Sequence, residues 1–176
     1  MQSEKIIERI VSWLKDYAEK AGVKGYVIGV SGGVDSGVVS TLCAMTGLKV
    51  LALEMPIRQQ KDQASRALEH IDFLKNKFPN VEGFTVDLNE PFEALYKTFD
   101  VKDDEFPAEK LAFANTRSRL RMLTLYYYGQ INGLLVCGTG NKVEDFGIGF
   151  YTKYGDGGVD VSPIADLYKT EVYALA

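Results

Sequence analysis

The stretch Tyr26-Val27-Ile28-Gly29-Val30-Ser31-Gly32-Gly33-Val34-Asp35-Ser36 joins a short apolar run to a glycine-rich turn. A continuous apolar run of this length suits a strand buried on both faces. Two glycines directly after it let the backbone take positive φ and approach a ligand closely. Successive amides then point inward as an anion nest, backed by the positive end of the helix that follows. Ser31 and Ser36 add hydroxyl donors. The turn reads as a phosphate cradle, yet it lacks the lysine of a GxxxxGK[ST] loop and the spacing of GxGxxG. Asp35 narrows the chemistry. A carboxylate inside a phosphate nest repels its ligand unless a divalent cation sits between them, so the loop predicts a metal-bound nucleotide. The plainer reading is that Asp35 only caps the next helix.

Outward from this stretch, the chain alternates. Ile6, Ile7, Ile10, Val11, Leu14 and Ala18 recur at three- and four-residue steps, predicting an amphipathic helix over roughly 4–20. After the cradle come a helix near 36–46, an apolar run from Lys49 to Met55, and a helix over roughly 60–77 marked by Ala64, Ala67, Leu68, Ile71 and Leu74. Gly83 to Leu88 reads as a third strand, followed by a short helix over roughly 90–98 and the acidic linker DVKDDEFP. Ala108 to Ile131 is a long helical segment, Leu134 to Cys137 a fourth strand, and the chain is then glycine-rich and irregular to about 165. From Asp166 it is helical again. Strands alternating with helices predict a single α/β domain over 1–176, a doubly wound parallel sheet flanked by helices. In such sheets ligands bind past the carboxyl ends of strands where strand order reverses. An order of 3-2-1-4 places the turns at 31–36 and 138–140 around that crevice.

Composition sets the outer limits. Twenty basic residues against 24 acidic give a net charge of −4, which disfavours a nucleic-acid surface. No apolar run approaches the roughly 18–20 residues of a transmembrane helix, and the charged amphipathic N-terminus is no secretory signal. A cytoplasmic protein without a membrane partner is expected. Cys43 and Cys137, far apart and without CxxC partners, read as buried thiols rather than a disulfide. His70 reads as a surface residue of a polar helix, and Tyr126, Tyr127 and Tyr128 as core or subunit interface. Arg119 and Arg121 are two apart and so do not share a helix face; the lesser reading of Arg121 is an ordinary surface arginine.

Gly29 to Ser36 (Gly29, Val30, Ser31, Gly32, Gly33, Val34, Asp35, Ser36) resembles the SGGxDS motif of the ATP pyrophosphatases, which cleave ATP between its α- and β-phosphates. Within that superfamily, with its adenine nucleotide alpha hydrolase-like fold, the chain is most similar to ammonia-dependent NAD synthetases. Asn115 to Met122 resembles their N-x-x-A-R-x-R-M segment, with Ser118 where alanine is usual. Gly138-Thr139-Gly140-Asn141-Lys142-Val143-Glu144 resembles their G-T-x-x-x-x-E block, and Gly149 to Asp160 their long active-site loop. Ser162 to Thr170 continues the match.

The resemblance implies that ATP adenylates the nicotinate carboxylate of deamido-NAD, pyrophosphate leaves, and ammonia displaces AMP. It implies Mg²⁺ held by Asp35 and Glu144, ATP bound by residues 29–36, Thr139 and Lys169, and deamido-NAD bound by Arg119, Lys153 and Asp160. Asp156 and Lys153 are the catalytic candidates, Asp156 to orient or deprotonate incoming ammonium. A homodimer is implied, with the dinucleotide site at the subunit interface. The alternatives are another ligase of the superfamily, such as a GMP synthetase-like domain, or a nucleotide-binding module without catalysis. The family also carries a C-terminal segment beyond the helix in which this chain ends, without a capping glycine, at Ala176. On that reading the 176 residues bind Mg·ATP weakly and make little NAD.

Overall fold

The computed structural model describes residues 2–58, 61–99 and 106–176. Four strands, β1 (Gly25–Gly29), β2 (Lys49–Glu54), β3 (Val81–Thr85) and β4 (Leu134–Cys137), form one parallel sheet in the order β3-β2-β1-β4. The helices are α1 (Ser3–Ala21), α2 (Val34–Met45), α3 (Lys61–Lys77), α4 (Asn89–Thr98), α5 (Pro107–Asn132) and α6 (Lys169–Leu175). The expected doubly wound sheet and its strand order are therefore present. Most of the acidic linker, residues 100–105, lies outside the described residues.

The period of two along the strands sorts the side chains into two cores. Tyr26 and Ile28 of β1, with Val50 and Ala52 of β2, face one side, where they pack with Leu14, Val39, Ile71 and Val172 from α1, α2, α3 and α6. Val27, Leu51, Leu53, Leu134 and Val136 face the other side, against Phe92 of α4 and Phe113 of α5. Tyr26 is fully buried, and its hydroxyl donates to the carbonyl of Leu14 at 2.5 Å, which removes the cost of an unpaired polar group. Each fully buried large side chain contributes about 1.5–3 kcal/mol.

Three boundaries differ from the sequence expectation. β3 is Val81–Thr85 because its register on β2 runs from Val50↔Val81 to Glu54↔Thr85, after which the chain turns and Leu88 drops into the α4–α5 core. α6 starts at Lys169, three residues later than Asp166, where the Glu171 carboxylate accepts from the Tyr168 amide at 2.8 Å and fixes the first turn. Within the glycine-rich stretch, Val143–Gly147 forms a π turn that the sequence reading left irregular. Among the described residues no helix is long and apolar enough to cross a membrane.

The two cysteines are free and buried, with Sγ atoms 3.5 Å apart between α2 and β4, as the thiol reading expects. His70 corrects its expectation: it is half-buried against α2, with Nε2 at 2.9 Å from Ser40 Oγ. Its burial holds the imidazole below its ordinary pKa of 6.5, with a backbone hydrogen bond at Gly37 opposing in part. The unfolded chain then binds more protons than the folded one between the lowered value and 6.5, so stability rises with pH through that window and is lost below it. Urea midpoints are expected to fall between pH 7 and pH 5, and His70→Gln to flatten that fall; an unchanged slope in the variant would place the effect elsewhere.

Candidate active site

The strand order reverses at β1, and the turns after β1 and β4 open onto the same crevice. The first turn is built by its own residues. Gly32 takes φ 79°, which a side chain would strain, and the Ser31 and Ser36 hydroxyls lie 3.1 Å apart across the loop. Ser36 Oγ accepts from the Ser31 amide at 3.2 Å and donates to the Gly33 carbonyl at 2.9 Å, and Ser31 Oγ accepts from the Gly33 amide at 3.3 Å. α2 then begins at Val34, after the N-cap Gly33 and with no side-chain cap, so its first-turn amides are available to an anion. Asp35 does not cap the helix. Its carboxylate instead reaches across to the second turn.

There the Lys169 ammonium lies between two carboxylates, hydrogen-bonded to Asp35 Oδ2 and, at 3.3 Å, to Glu144 Oε1. Burial pulls the lysine pKa down, but the hydrogen bonds and charges of Asp35 and Glu144 outweigh it, and the net shift is upward. Asn141 fixes both partners. It is fully buried, donates from Nδ2 to Asp35 Oδ1 at 3.2 Å, and accepts through Oδ1 from the amides of Val143 and Glu144 at 3.1 and 3.2 Å. The π turn therefore presents Glu144 toward α2. Asp145 adds a third negative group, its pKa raised by burial and then by Asp156 and Glu144.

Two carboxylates on different elements already converge on one cation. That donor set fits Mg²⁺, which takes one or two carboxylates and completes its shell with phosphate oxygens and water. Among the described residues no group of three or more His, Cys, Asp or Glu side chains could hold a metal by itself.

The crevice itself is a cleft of about 970 Å³. Gly29, Val30, Ser31, Gly138 and Thr139 form one wall, and Arg117, Ser118 and Arg121 of α5 line the other. Gly32, Gly33, Val34 and Ser36 border a second cavity of about 450 Å³ on the α3 side, so the cradle divides the two. Arg121 is not the surface arginine of the lesser reading, for it lines the cleft with Nε donating to the Met55 carbonyl at 3.0 Å.

The loop 149–160 is laced to α5. The Asp156 carboxylate accepts through Oδ1 from Ser118 Oγ at 2.5 Å and from the Thr152 amide at 3.0 Å. Ser118 Oγ in turn accepts from the Asp156 amide at 2.8 Å, and Thr152 Oγ1 donates to Asn115 at 2.8 Å. Gly155 allows this approach, since a Cβ there would stand 2.3 Å from Ser118 Oγ. Exposed Arg119 donates from Nε to the Lys153 carbonyl at 3.2 Å, so these two candidates are joined outside the cleft lining. Asp160 accepts from the Val136 amide at 2.7 Å and from the Tyr126 hydroxyl at 3.0 Å. Burial, and then the Asp160 bond, push the Tyr126 pKa up to about 12.

Ser118→Ala removes two bonds of this lacing. At about 1 kcal/mol each, they predict that amide exchange at Thr152 and Asp156 speeds by about 10–30-fold. Unchanged exchange would show that the loop is ordered without Ser118.

Sequence reasoning missed Asn141, whose signal is burial, and the pairing of Ser118 with Asp156, for which the only hint is the serine in a position where alanine is usual.

Comparison with known proteins is consistent with this arrangement. Residues 6–176 match the NAD synthase family. An NH(3)-dependent NAD(+) synthetase of Finegoldia magna is 39% identical over 177 residues, covering 100% of this chain and 69% of its own length. One of Carboxydothermus hydrogenoformans is 40% identical, covering 98% and 69%. Among solved structures, the NH3-dependent NAD synthetase of Campylobacter jejuni superposes with a TM-score of 0.87 at 33% identity, over 99% of this chain and 72% of that one. An NMN synthetase from Francisella tularensis gives 0.87 at 34% identity, over 99% and 69%. A family match across nearly the whole sequence, on a sheet whose switch point carries the acidic and glycine-rich turns, leaves one conclusion: the chain belongs to the NAD synthase family.

Proposed function

We infer that the protein is an ammonia-dependent NAD synthetase, a ligase that amidates the nicotinate carboxylate of deamido-NAD at the expense of ATP. The observation that supports this reading is the convergence of Asp35, from the first turn of α2, and Glu144, from the π turn after β4, on the Lys169 ammonium. A GMP synthetase-like activity is not favoured, because the matching family is NAD synthase and the sequence relatives reported above are NH(3)-dependent NAD(+) synthetases.

In this reading the cradle amides and Lys169 hold the triphosphate so that its α-phosphorus faces the nicotinate carboxylate. The carboxylate oxygen attacks that phosphorus and pyrophosphate leaves. Ammonia then attacks the acyl carbon and AMP departs. Asp35 and Glu144 would hold Mg²⁺, which would supply positive charge against the phosphates. Asp156 lines the cleft and spends Oδ1 on the loop, which leaves Oδ2 to receive a proton from incoming ammonium. Positioning and electrostatics supply the acceleration, and no nucleophilic side chain is needed. Lys153, Arg119 and Asp160 serve deamido-NAD, the first two from an exposed position that suits a site shared between subunits. A homodimer through α5 is supported by its exposed Leu111, Leu123, Tyr127 and Ile131, each about 60% exposed. A cytoplasmic location accords with two free thiols 3.5 Å apart.

The test is pyrophosphate release with ATP and ammonia across a panel of acceptors. Deamido-NAD is expected to be preferred, with xanthosine monophosphate inert. A preference for another pyridine mononucleotide would accord instead with the NMN synthetase likeness, and release with xanthosine monophosphate would overturn the reading.

A further inference from the structure

The cleft wall formed by α5 carries two cations that its interior does not neutralise. Arg117 and Arg121 lie one helical turn apart and both line the cleft. Among the described residues neither meets a carboxylate within ion-pair distance. A third arginine of the same cleft makes the contrast: Arg58 is bound through Nε and Nη2 to the two oxygens of Glu93, at 2.6 and 2.8 Å. Arg121 instead spends Nε on the Met55 carbonyl, which fixes the plane of the guanidinium and leaves its terminal nitrogens to the cleft. Arg117 is steadied by the Phe92 ring, 5.7 Å from its guanidinium carbon. Burial, and then the charge of Arg117, pull the Arg121 pKa below its ordinary value. Two like charges, partly desolvated and without a counter-ion, are unfavourable in isolation, and a bound anion reverses the sign of that interaction. A guanidinium held in one plane matches the oxygens of a phosphoryl group two at a time.

We propose that Arg117 and Arg121 form a second phosphoryl seat, in the cleft that Ser31 and Thr139 also line, and that one of the two nucleotides docks a phosphate there during the reaction. The assignment rests on the proposed function for the identity of those nucleotides. The seat itself follows from the cleft. The cradle on the β1 side takes one polyanion; a second polyanion entering the same space meets Ser31 and Thr139 on one wall and this arginine pair on the other. The pair offsets the repulsion between the two ligands and sets how close their phosphates come.

Calorimetric titration of the protein with Mg·ATP, with deamido-NAD and with inorganic pyrophosphate tests the seat and names its occupant. Arg121→Gln and Arg117→Gln are each expected to weaken one nucleotide by about 10–100-fold and the other by less than about threefold. Loss confined to ATP assigns the seat to the triphosphate, and loss confined to deamido-NAD assigns it to the dinucleotide. Arg121→Lys keeps the charge but loses the paired geometry, and is expected to lose about 3–10-fold for the same ligand. Arg117→Gln, on a half-buried position, keeps the test open should Arg121→Gln not fold. Affinities within twofold of the parent for all three probes would overturn the seat. Failure of the proposed function looks different: deamido-NAD would then not bind the parent protein, while the ATP and pyrophosphate titrations would still report on the arginines.

Discussion

Asp35→Asn is expected to reduce magnesium-dependent pyrophosphate release by about 10²–10³-fold, or about 3–4 kcal/mol of transition-state stabilisation. An amide is a poor ligand for a hard cation, and it also leaves the Lys169 ammonium with one carboxylate where it had two. Glu144→Gln is expected to fall in the same range, because its carboxylate meets the same Lys169 ammonium as Asp35, with Asn141 bonded to the Asp35 carboxylate and the Glu144 amide. The fold should survive each change, since neither carboxylate lies in either hydrophobic core. Turnover against magnesium concentration checks this. Turnover within threefold of the parent for either variant would remove that residue from the metal site.

Lys169→Ala is expected to move two readouts in opposite directions. Without nucleotide the ammonium occupies the position between the carboxylates, so it competes with a divalent cation for them. Removing it should tighten binding of Mg²⁺ alone by about 5–10-fold and lower turnover with Mg·ATP by about 10²-fold, because the lysine is then missing from the phosphates. Titration with Mg²⁺ in the absence of nucleotide, beside a turnover assay, separates the two effects. Weaker Mg²⁺ binding in the variant would mean that the lysine organises the carboxylates and does not compete with the metal.

The parts of this site differ in how far the sequence exposes them, for identifiable reasons. β1, β2 and β4 are short, mainly apolar runs bounded by glycine or, after β2, by Pro56, so pattern alone locates them and the crevice between them. β3 is an edge strand, and its apolar signal continues through Val86 and Leu88, residues that serve the α4–α5 core and not the ladder. The cradle is legible because glycine, serine and aspartate are each required there by a distinct chemical demand. The π turn is not, since an i→i+5 turn has no periodic pattern of its own. Arg119 and Arg121 are alike in sequence. What separates them is that Arg121 turns toward Met55 in the cleft while Arg119 turns toward the Lys153 carbonyl. Asn141 and His70 share that limitation, for a polar residue buried by tertiary packing looks like any surface residue until the packing is known.

The decisive step is attack of the nicotinate carboxylate on the α-phosphorus of ATP. It makes a prediction about one oxygen atom: deamido-NAD labelled with ¹⁸O in its carboxylate, turned over with ATP and ammonia, should deliver one labelled oxygen to AMP. The carbon–oxygen bond to the adenylate is the bond that ammonia breaks, so that oxygen must leave with phosphorus. Mass spectrometry of the AMP reads the result directly. AMP carrying one ¹⁸O per turnover is the outcome expected, and unlabelled AMP formed alongside amidated product would contradict the account.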